Sequence, residues 1–201
     1  MDGEGATLSP RTRRSKLTPQ RVAELFGSVL QLLREVGYDS LTMEAVATRT
    51  RCSKATLYRQ WTGKPQLVAQ ALRHEKPVTF ADIDTGSLRG DFTAVVDRLS
   101  TPRMERDSAL LRGLLQAAHA HPDLLAALRE LLVVPELTGL AEMLGHAVER
   151  GEVASDAPAL PFVPHTLVGL LIARQLAEDT PADPAFVRDY IDAVVLPALD
   201  V

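Results

Sequence analysis

Seven consecutive residues, Lys54-Ala55-Thr56-Leu57-Tyr58-Arg59-Gln60, bring an ammonium, a hydroxyl, a phenol, a guanidinium and an amide together within two helical turns. Such groups donate hydrogen bonds and positive charge, which suits them to phosphate oxygens and base edges rather than to making bonds. Ser53 is placed to cap a helix starting at Lys54. On that helix Leu57 and Trp61 (i, i+4) face inward and leave Lys54, Thr56, Tyr58 and Arg59 on the other faces. Bond-making patterns are missing from the sequence: it has no Gly-rich phosphate loop, no Gly-x-Ser-x-Gly elbow and no His-Glu-x-x-His zinc helix. His119 and His121 lie two apart, on different helical faces unless Pro122 breaks the helix between them. Glu142 and His146 share a face at i, i+4, a pairing more often found as a polar helix face or pocket edge than as a metal site. The expectation is therefore no enzyme, no catalytic residue, no cofactor and no metal.

The donors need elements to hold them. Thr42 caps a preceding helix of about two turns, with Glu44 in its first turn and Met43, Val46 and Ala47 forming one apolar face up to Arg49. A tight turn, Thr50-Arg51-Cys52, leads into the second helix, giving a helix-turn-helix layout that lays its second helix in the major groove. Upstream, Thr18-Pro19 opens a long helix carrying Val22, Leu25, Phe26, Val29, Leu32 and Leu33, and Gly37 ends it. This helix should close a small core with Leu41, Val46, Leu57 and Trp61. Downstream, Gly63-Lys64-Pro65 starts a fourth helix through Leu67, Val68 and Leu72. Lys64 then sits at a helix N-terminus, where free amides and the dipole also favour a phosphate; otherwise it is a solvated surface lysine.

From Thr42 through Ser53-Lys54-Ala55-Thr56-Leu57-Tyr58-Arg59-Gln60-Trp61 to Lys64 and Leu67-Val68, the chain resembles the tetracycline-repressor (TetR) family of bacterial regulators. The resemblance is specific over roughly residues 18 to 74. It implies an all-α protein: an N-terminal three-helix DNA-binding domain with a helix-turn-helix (17–76), then a helical ligand-binding and dimerisation domain (77–201). It further implies that Tyr58 and Lys64 hold backbone phosphates and that Lys54, Thr56 and Arg59 contact phosphates or bases. Thr42 and Ala55 complete the DNA-facing set. Two departures stand out: Arg51 occupies a position usually held by a turn Gly, at a cost on the order of 1 kcal/mol if the backbone is left-handed, and Trp61 replaces the usual Phe.

Bulk properties agree. The 201 residues allow one larger or two smaller domains, and 46% hydrophobic residues suffice for a buried core, although only 4% are aromatic, so Leu, Val and Ala must build it. Residues 1–76 hold 13 Lys and Arg against 7 Asp and Glu (net +6), and residues 77–201 hold 9 against 19 (net −10). The basic part suits phosphates, whereas the acidic part would be repelled by DNA and should point away from it, or simply keeps a helical domain soluble. A single cysteine, Cys52, excludes an internal disulfide framework and fits a reducing cytoplasm as a small buried turn residue. No secretion signal is read, and Leu167 to Ile172, taken as the most apolar stretch, is too short to span a bilayer, so the expected place is the cytoplasm with no membrane partner.

Residues 1–16, with Arg11, Arg13, Arg14 and Lys16 among Gly, Ser and Pro, read as a disordered basic arm that either reaches a minor groove or only adds attraction to phosphates. Pro77, Gly86 and several Asp mark a joint after His74, tied down by Phe80 and Ile83. Beyond it, Leu88 to Leu99, Met104 to Ala120, Pro122 to about Arg150, Leu160 to Ala177 and Pro184 to Leu199 all show helical periodicity. Pro135 should kink or break the third of these, and Gly151 should end it. No segment alternates with period two, which gives an all-α fold.

The last two helices are apolar over wide faces: Leu167, Val168, Leu170, Leu171 and Ile172 on one, Phe186, Val187, Tyr190, Ile191, Val194 and Val195 on the other. A monomer would struggle to bury both. The resemblance implies that they pair with their symmetry mates as a four-helix bundle, with Leu167, Leu170, Leu171, Arg174, Val187, Tyr190, Ile191 and Val194 as candidate contacts; core within one chain is the alternative. The helices from Leu88 to Arg150 are rich in Leu and Ala, with Phe92 their only large aromatic residue. Helices of that make-up can leave space for a bound molecule, and the resemblance points the same way. Candidate lining residues are Phe92, Val96, Leu111, Leu115, His119, Leu128, Met143 and Leu144, with Gln116, His119 and His146 to orient a ligand; an ordinary close-packed core is the other reading. Together these features lead to a DNA-binding transcriptional regulator: a homodimeric repressor released from a near-palindromic double-stranded operator by a small apolar or amphipathic effector. Two other readings are a ligand-independent regulator of the same family and an all-α scaffold whose basic end binds an acidic protein.

Overall fold

Thr18 opens the first helix, α1 (Pro19–Ser40): its hydroxyl accepts from the Arg21 amide at 3.3 Å, and Pro19 needs no amide partner in the first turn. The regular helix stops at Gly37, whose φ of 73° only glycine adopts freely, and one further turn through Tyr38 follows. The computed structural model describes residues 17–75, 80, 82–99, 110, 113–180 and 182–201, and the basic arm expected over residues 1–16 lies outside them. Next come α2 (Met43–Thr50), α3 (Lys54–Gln60) and α4 (Lys64–Glu75). As expected, Thr42 accepts from the Ala45 amide at 3.1 Å and Ser53 from the Thr56 amide at 3.2 Å.

After the joint, α5 (Leu88–Leu99) is followed by α6 (residues 113–120), α7 (Pro122–Leu128) and α8 (Val134–Glu149). A short 3-10 turn, Leu160–Phe162, precedes α9 (Val163–Glu178), and α10 (Pro184–Tyr190) leads to the short α11 (Leu196–Ala198). All are helices, and the described residues contain no strand. Pro135 does not break its helix, which runs on through it to Glu149. The backbone widens instead into a π turn, Arg129–Val133, two residues ahead of it, and a second π turn, Ile191–Val195, stands in the same relation to Pro197. A proline lacks its amide and crowds the carbonyl four residues back, so a wider turn just before it removes the conflict without ending the helix.

Two buried clusters organise the chain. The first joins α1 to α4 with Leu110, Leu114, Ala118, Leu124, Ala127 and Leu128, so its apolar packing runs past residue 76 into α6 and α7. The second unites α5, α8, α9, α10 and α11 around Phe92, Val96, Met143 and Leu196. Ile83 is buried in it and Phe80 packs against it, which ties down the joint as expected. The stretch Leu160–Glu178 is long and apolar enough to cross a bilayer by length and composition, a correction to the expectation drawn from Leu167–Ile172 alone. Val163 and Leu170 on it are nonetheless seated in the second core.

Two turns of one design close α2 and α8. Gly151 (φ 75°) ends α8 as expected, with its amide on Val148 O at 3.0 Å and that of Glu152 on Ala147 O at 2.9 Å. Arg51 (φ 50°, ψ 40°) ends α2 with Cys52 N on Ala47 O at 3.0 Å and Arg51 N on Thr48 O at 3.3 Å. An arginine thus holds a left-handed position that a glycine would occupy without strain. Arg51→Gly should raise the unfolding free energy by about 1 kcal/mol, read as a higher denaturant midpoint at unchanged slope; a lower midpoint would show that the Arg51 side chain compensates for its backbone.

Around Gly151 lies a polar staple. Asp91, fully buried, accepts from the Thr85 amide at 2.6 Å and hydroxyl at 2.7 Å and pairs with Arg150 at 3.2 Å, while Glu152 accepts from the Leu88 amide at 2.7 Å and pairs with Arg150 at 2.5 Å. The Glu152 carboxyl is held below the usual range, chiefly by the Leu88 amide and further by Arg150, against the desolvation that pushes it up. Its folded form is thus the stronger acid: ionised Glu152 stabilises the protein above its unfolded value near 4.5, and that contribution is lost as pH falls through the folded value. Glu152→Gln should lower stability by about 1–2 kcal/mol at pH 7, with the difference closing as pH falls from the unfolded value near 4.5 through the lower folded value. A gap of equal size at every pH would show that the charge is not its source.

Candidate nucleic-acid interface

The candidate reader expected from the sequence is the exposed side of α3. Leu57 and Trp61 point inward as the spacing required, with Leu57 fully buried and the Trp61 ring edge-on to Phe26 at 5.6 Å between centroids. The Trp61 indole also donates to Gln70 of α4 at 2.8 Å. With these two anchors fixed, Ala55, Tyr58 and Arg59 are exposed and Thr56 is half-buried. Tyr58 is 52% exposed, although a tyrosine has apolar surface to bury.

Four of the candidates, Thr42, Lys54, Thr56 and Lys64, have a definite partner within the chain. Lys54 pairs with Glu44 of α2, which lies below the usual carboxylate range mainly because it accepts that hydrogen bond. Both side chains are exposed, so the pair contributes little and opens readily. Thr42 caps α2 and sits exposed beside Glu44 in sequence, and Thr56 shares a hydroxyl hydrogen bond with Ser53 at 2.9 Å. Lys64, the first residue of α4, is half-buried; its ammonium donates to Tyr38 O at 2.9 Å and lies 4.1 Å from the Tyr38 ring centroid. Cys52 is half-buried in the turn rather than fully buried.

Sequence spacing did not reveal what braces α2. Arg21 donates to the Thr50 carbonyl at the end of α2, and Arg49 pairs with Glu35 of α1 at 2.5 Å. Both partners come from α1, 29 and 14 residues away in sequence. Helical phase would have found the basic residues but not their partners.

The expected pocket lining is only partly assembled. Phe92, Val96, Met143 and Leu144 meet in the second core, whereas Leu128 belongs to the first. Leu115 is 50% exposed and His119 is exposed, its ring bonded to Leu115 O at 2.8 Å, so these two do not face the second core; Leu111 lies outside the described residues. Helix α6 instead turns Leu114 and Ala118 inward, one residue out of phase with the expected face. Gln116 lines a different space, an open groove of about 880 Å³ between the end of α1 and α6, walled by Leu33, Val36, Tyr38, Leu114 and Ala117. His146 is exposed on α8 beside Glu142, and no cluster of three metal-ligating side chains occurs among the described residues.

The expected dimer contacts divide as well. Leu170, Val187 and Ile191 are buried within the chain, and Leu167 and Tyr190 pack against the same core. Arg174 also turns inward, stacked 3.6 Å over Phe186 and within ion-pair range of Glu178 and Asp183 at 3.4 and 3.8 Å. Leu171 and Val194 stay exposed, joined on the outside of α9 by Val168, Ile172 and Leu176, the last 81% exposed.

Comparison with known proteins places both halves. Residues 30–71 match the profile of bacterial regulatory proteins of the tetR family, and residues 82–194 match that of the tetracyclin repressor-like C-terminal domain. The HTH-type transcriptional regulator Rv1556 of Mycobacterium tuberculosis is 33% identical over 179 residues, 89% of this chain and 88% of its own length. The DNA-binding transcriptional repressor TetR of Mycobacteroides abscessus is 32% identical over 177 residues, 88% of this chain and 92% of its own. Among solved structures, the TetR family transcription regulator SCO0332 superposes with a TM-score of 0.67 at 32% identity, covering 89% of this chain and 98% of that one. A TetR-family regulator from Rhodococcus sp. gives 0.70 at 17% identity, covering 90% and 100%, a likeness of fold.

Proposed function

The chain belongs to the tetracycline-repressor family of DNA-binding transcriptional regulators, which are not enzymes, and on that footing we propose that it is a cytoplasmic repressor. It acts as a homodimer on a near-palindromic operator and is released by a small apolar or amphipathic effector. The observation that carries the DNA reading is the outer face of α3, where Tyr58 and Arg59 stand exposed beside Lys54 while Leu57 and Trp61 lock the helix from beneath. Tyr58 and Lys64 hold phosphates and set the register, with Thr42 and Ala55 at the helix starts admitting the backbone. Lys54, Thr56 and Arg59 carry the base readout.

One seven-residue reader touches too few base pairs to select a site in a genome, so two are needed. Support for the pairing comes from α9, whose outer stripe Val168, Leu171, Ile172 and Leu176 follows helical spacing and finds no cover among the described residues. A symmetric pairing of α9 and the π turn of α10 would bury it with Val194. Support for the effector is the stretch from Leu88 to Arg150, rich in Leu and Ala with Phe92 its only large aromatic residue, whose Phe92, Val96, Met143 and Leu144 meet in the second core. An effector releases DNA only by preferring the dimer state whose readers are wrongly spaced, and its effect cannot exceed that preference.

The test is binding to a duplex selected by the protein from a random pool, titrated across salt concentrations. Lys64→Ala and Tyr58→Phe should weaken selected and unrelated duplexes about equally, with the Lys64 variant reducing the salt slope by ~0.9. Arg59→Ala should cost roughly 1–3 kcal/mol on the selected duplex and relax preference at one position. Affinity and slope unchanged in Lys64→Ala would remove the start of α4 from the interface.

A further inference from the structure

Tyr38 stands where three parts of the chain meet. It follows the break at Gly37, so its carbonyl is turned out of α1 and accepts from both the Leu41 amide at 3.2 Å and the Lys64 ammonium at 2.9 Å. Its ring, buried, carries that ammonium 4.1 Å from its centroid and receives the His121 ring edge-on at 5.2 Å. His121 occupies the N-cap position of α7, and its side chain, rather than capping the helix, is held by Asp39 at 2.7 Å. The first residue of α4 and the N-cap residue of α7 therefore both rest on one aromatic ring.

We propose that Tyr38 is the positioning residue for the phosphate contact of Lys64, holding the ammonium by its ring face and carbonyl, and that through His121 it makes that contact sensitive to the α6–α7 corner. The proposal rests on the reading of Lys64 as a phosphate contact. A free lysine samples many rotamers, and fixing it costs entropy at the moment DNA binds. Here one donor of the three is committed to Tyr38 O and the charge lies over the ring, which leaves two donors for a phosphate at a defined place. The phenol is pushed up to about 12 by burial and by the charges of Asp123 and Asp39, so the ring stays neutral and its face stays attractive to a cation. The same ring walls the groove between α1 and α6, so whatever shifts α6 or the α7 cap presses on the support of Lys64. None of these contacts involves the second core.

The experiment compares wild type with Tyr38→Phe, Tyr38→Leu, Lys64→Ala and the Tyr38→Leu/Lys64→Ala pair for binding to the selected duplex over a salt series, with thermal melting alongside. Tyr38→Phe keeps the ring and should bind within about twofold of wild type. Tyr38→Leu should bind about three- to tenfold more weakly with a salt slope lower by up to ~0.9. The pair should bind no worse than Lys64→Ala alone, because the ring has nothing left to position. A Tyr38→Leu protein that melts earlier but keeps the wild-type slope, or a penalty that simply adds to that of Lys64→Ala, would overturn the proposal while leaving Lys64 as a phosphate contact. An unchanged slope in Lys64→Ala would remove the phosphate contact itself and the proposal with it. Should Tyr38→Leu fail to fold, the ε-methylene resonance of Lys64 in wild type gives the answer: an upfield ring-current shift that persists on the duplex supports the proposal, and its loss on binding overturns it.

Discussion

The burial of Leu57 and Trp61 beneath α3 is the constraint on which the structure depends. A helix of seven residues is far too short to hold itself together in water, because nucleation costs more than so few hydrogen bonds return. It is helical here because one face is pinned in the first core, with Trp61 edge-on to Phe26 of α1 and bonded to Gln70 of α4. α1 must therefore be long enough to underlie both reader helices, and α4 must cross close to them. Arg21 and Glu35 on α1 then fix α2 from the side. The donors on the far face of α3 thus stand on rigid elements, as the proposed contact with DNA requires.

The same core runs on into α6 and α7 through Leu114, Ala118, Leu124 and Leu128, so the reader does not hang from the rest of the chain on the joint alone. That continuity gives a physical route between the halves: packed helices shift as bodies, and Tyr38 lies at their seam. The charge asymmetry works alongside it. The excess of Lys and Arg lies in residues 1–76 and the excess of Asp and Glu beyond, so a nearby duplex attracts one end and repels the other.

The helix starts at Thr18, Thr42 and Ser53, the stops at Gly37 and Gly151 and the inward pair on α3 could all be read from the sequence, because caps, glycines and i, i+4 spacing are local. The left-handed Arg51 came from the resemblance and stands in the structure. What stayed hidden depends on residues far apart in sequence. On α6 the alternation of Leu and Ala fits two phases equally well, and the structure takes Leu114 and Ala118 where Leu115 and His119 were expected. On α9 and α10 two wide apolar faces were evident, but not which residues the chain buries for itself: it takes Leu170, Val187 and Ile191 and leaves Leu171 and Val194 outside. Arg174 looked like an outward contact, yet Phe186 on α10 and Asp183 just before it draw it inward, together with Glu178 one turn on along α9.

We propose that two copies of this chain, joined through the outer stripe of α9, present two α3 helices to one duplex. Sedimentation of the protein with its selected duplex tests it most directly, run beside a Leu171→Glu/Val194→Glu variant whose substitutions lie on exposed positions. The account predicts two chains per duplex for wild type, a monomeric variant with unchanged helical content, and much weaker binding by that variant. A variant that remained dimeric, or a wild-type complex of one chain per duplex at full affinity, would contradict it.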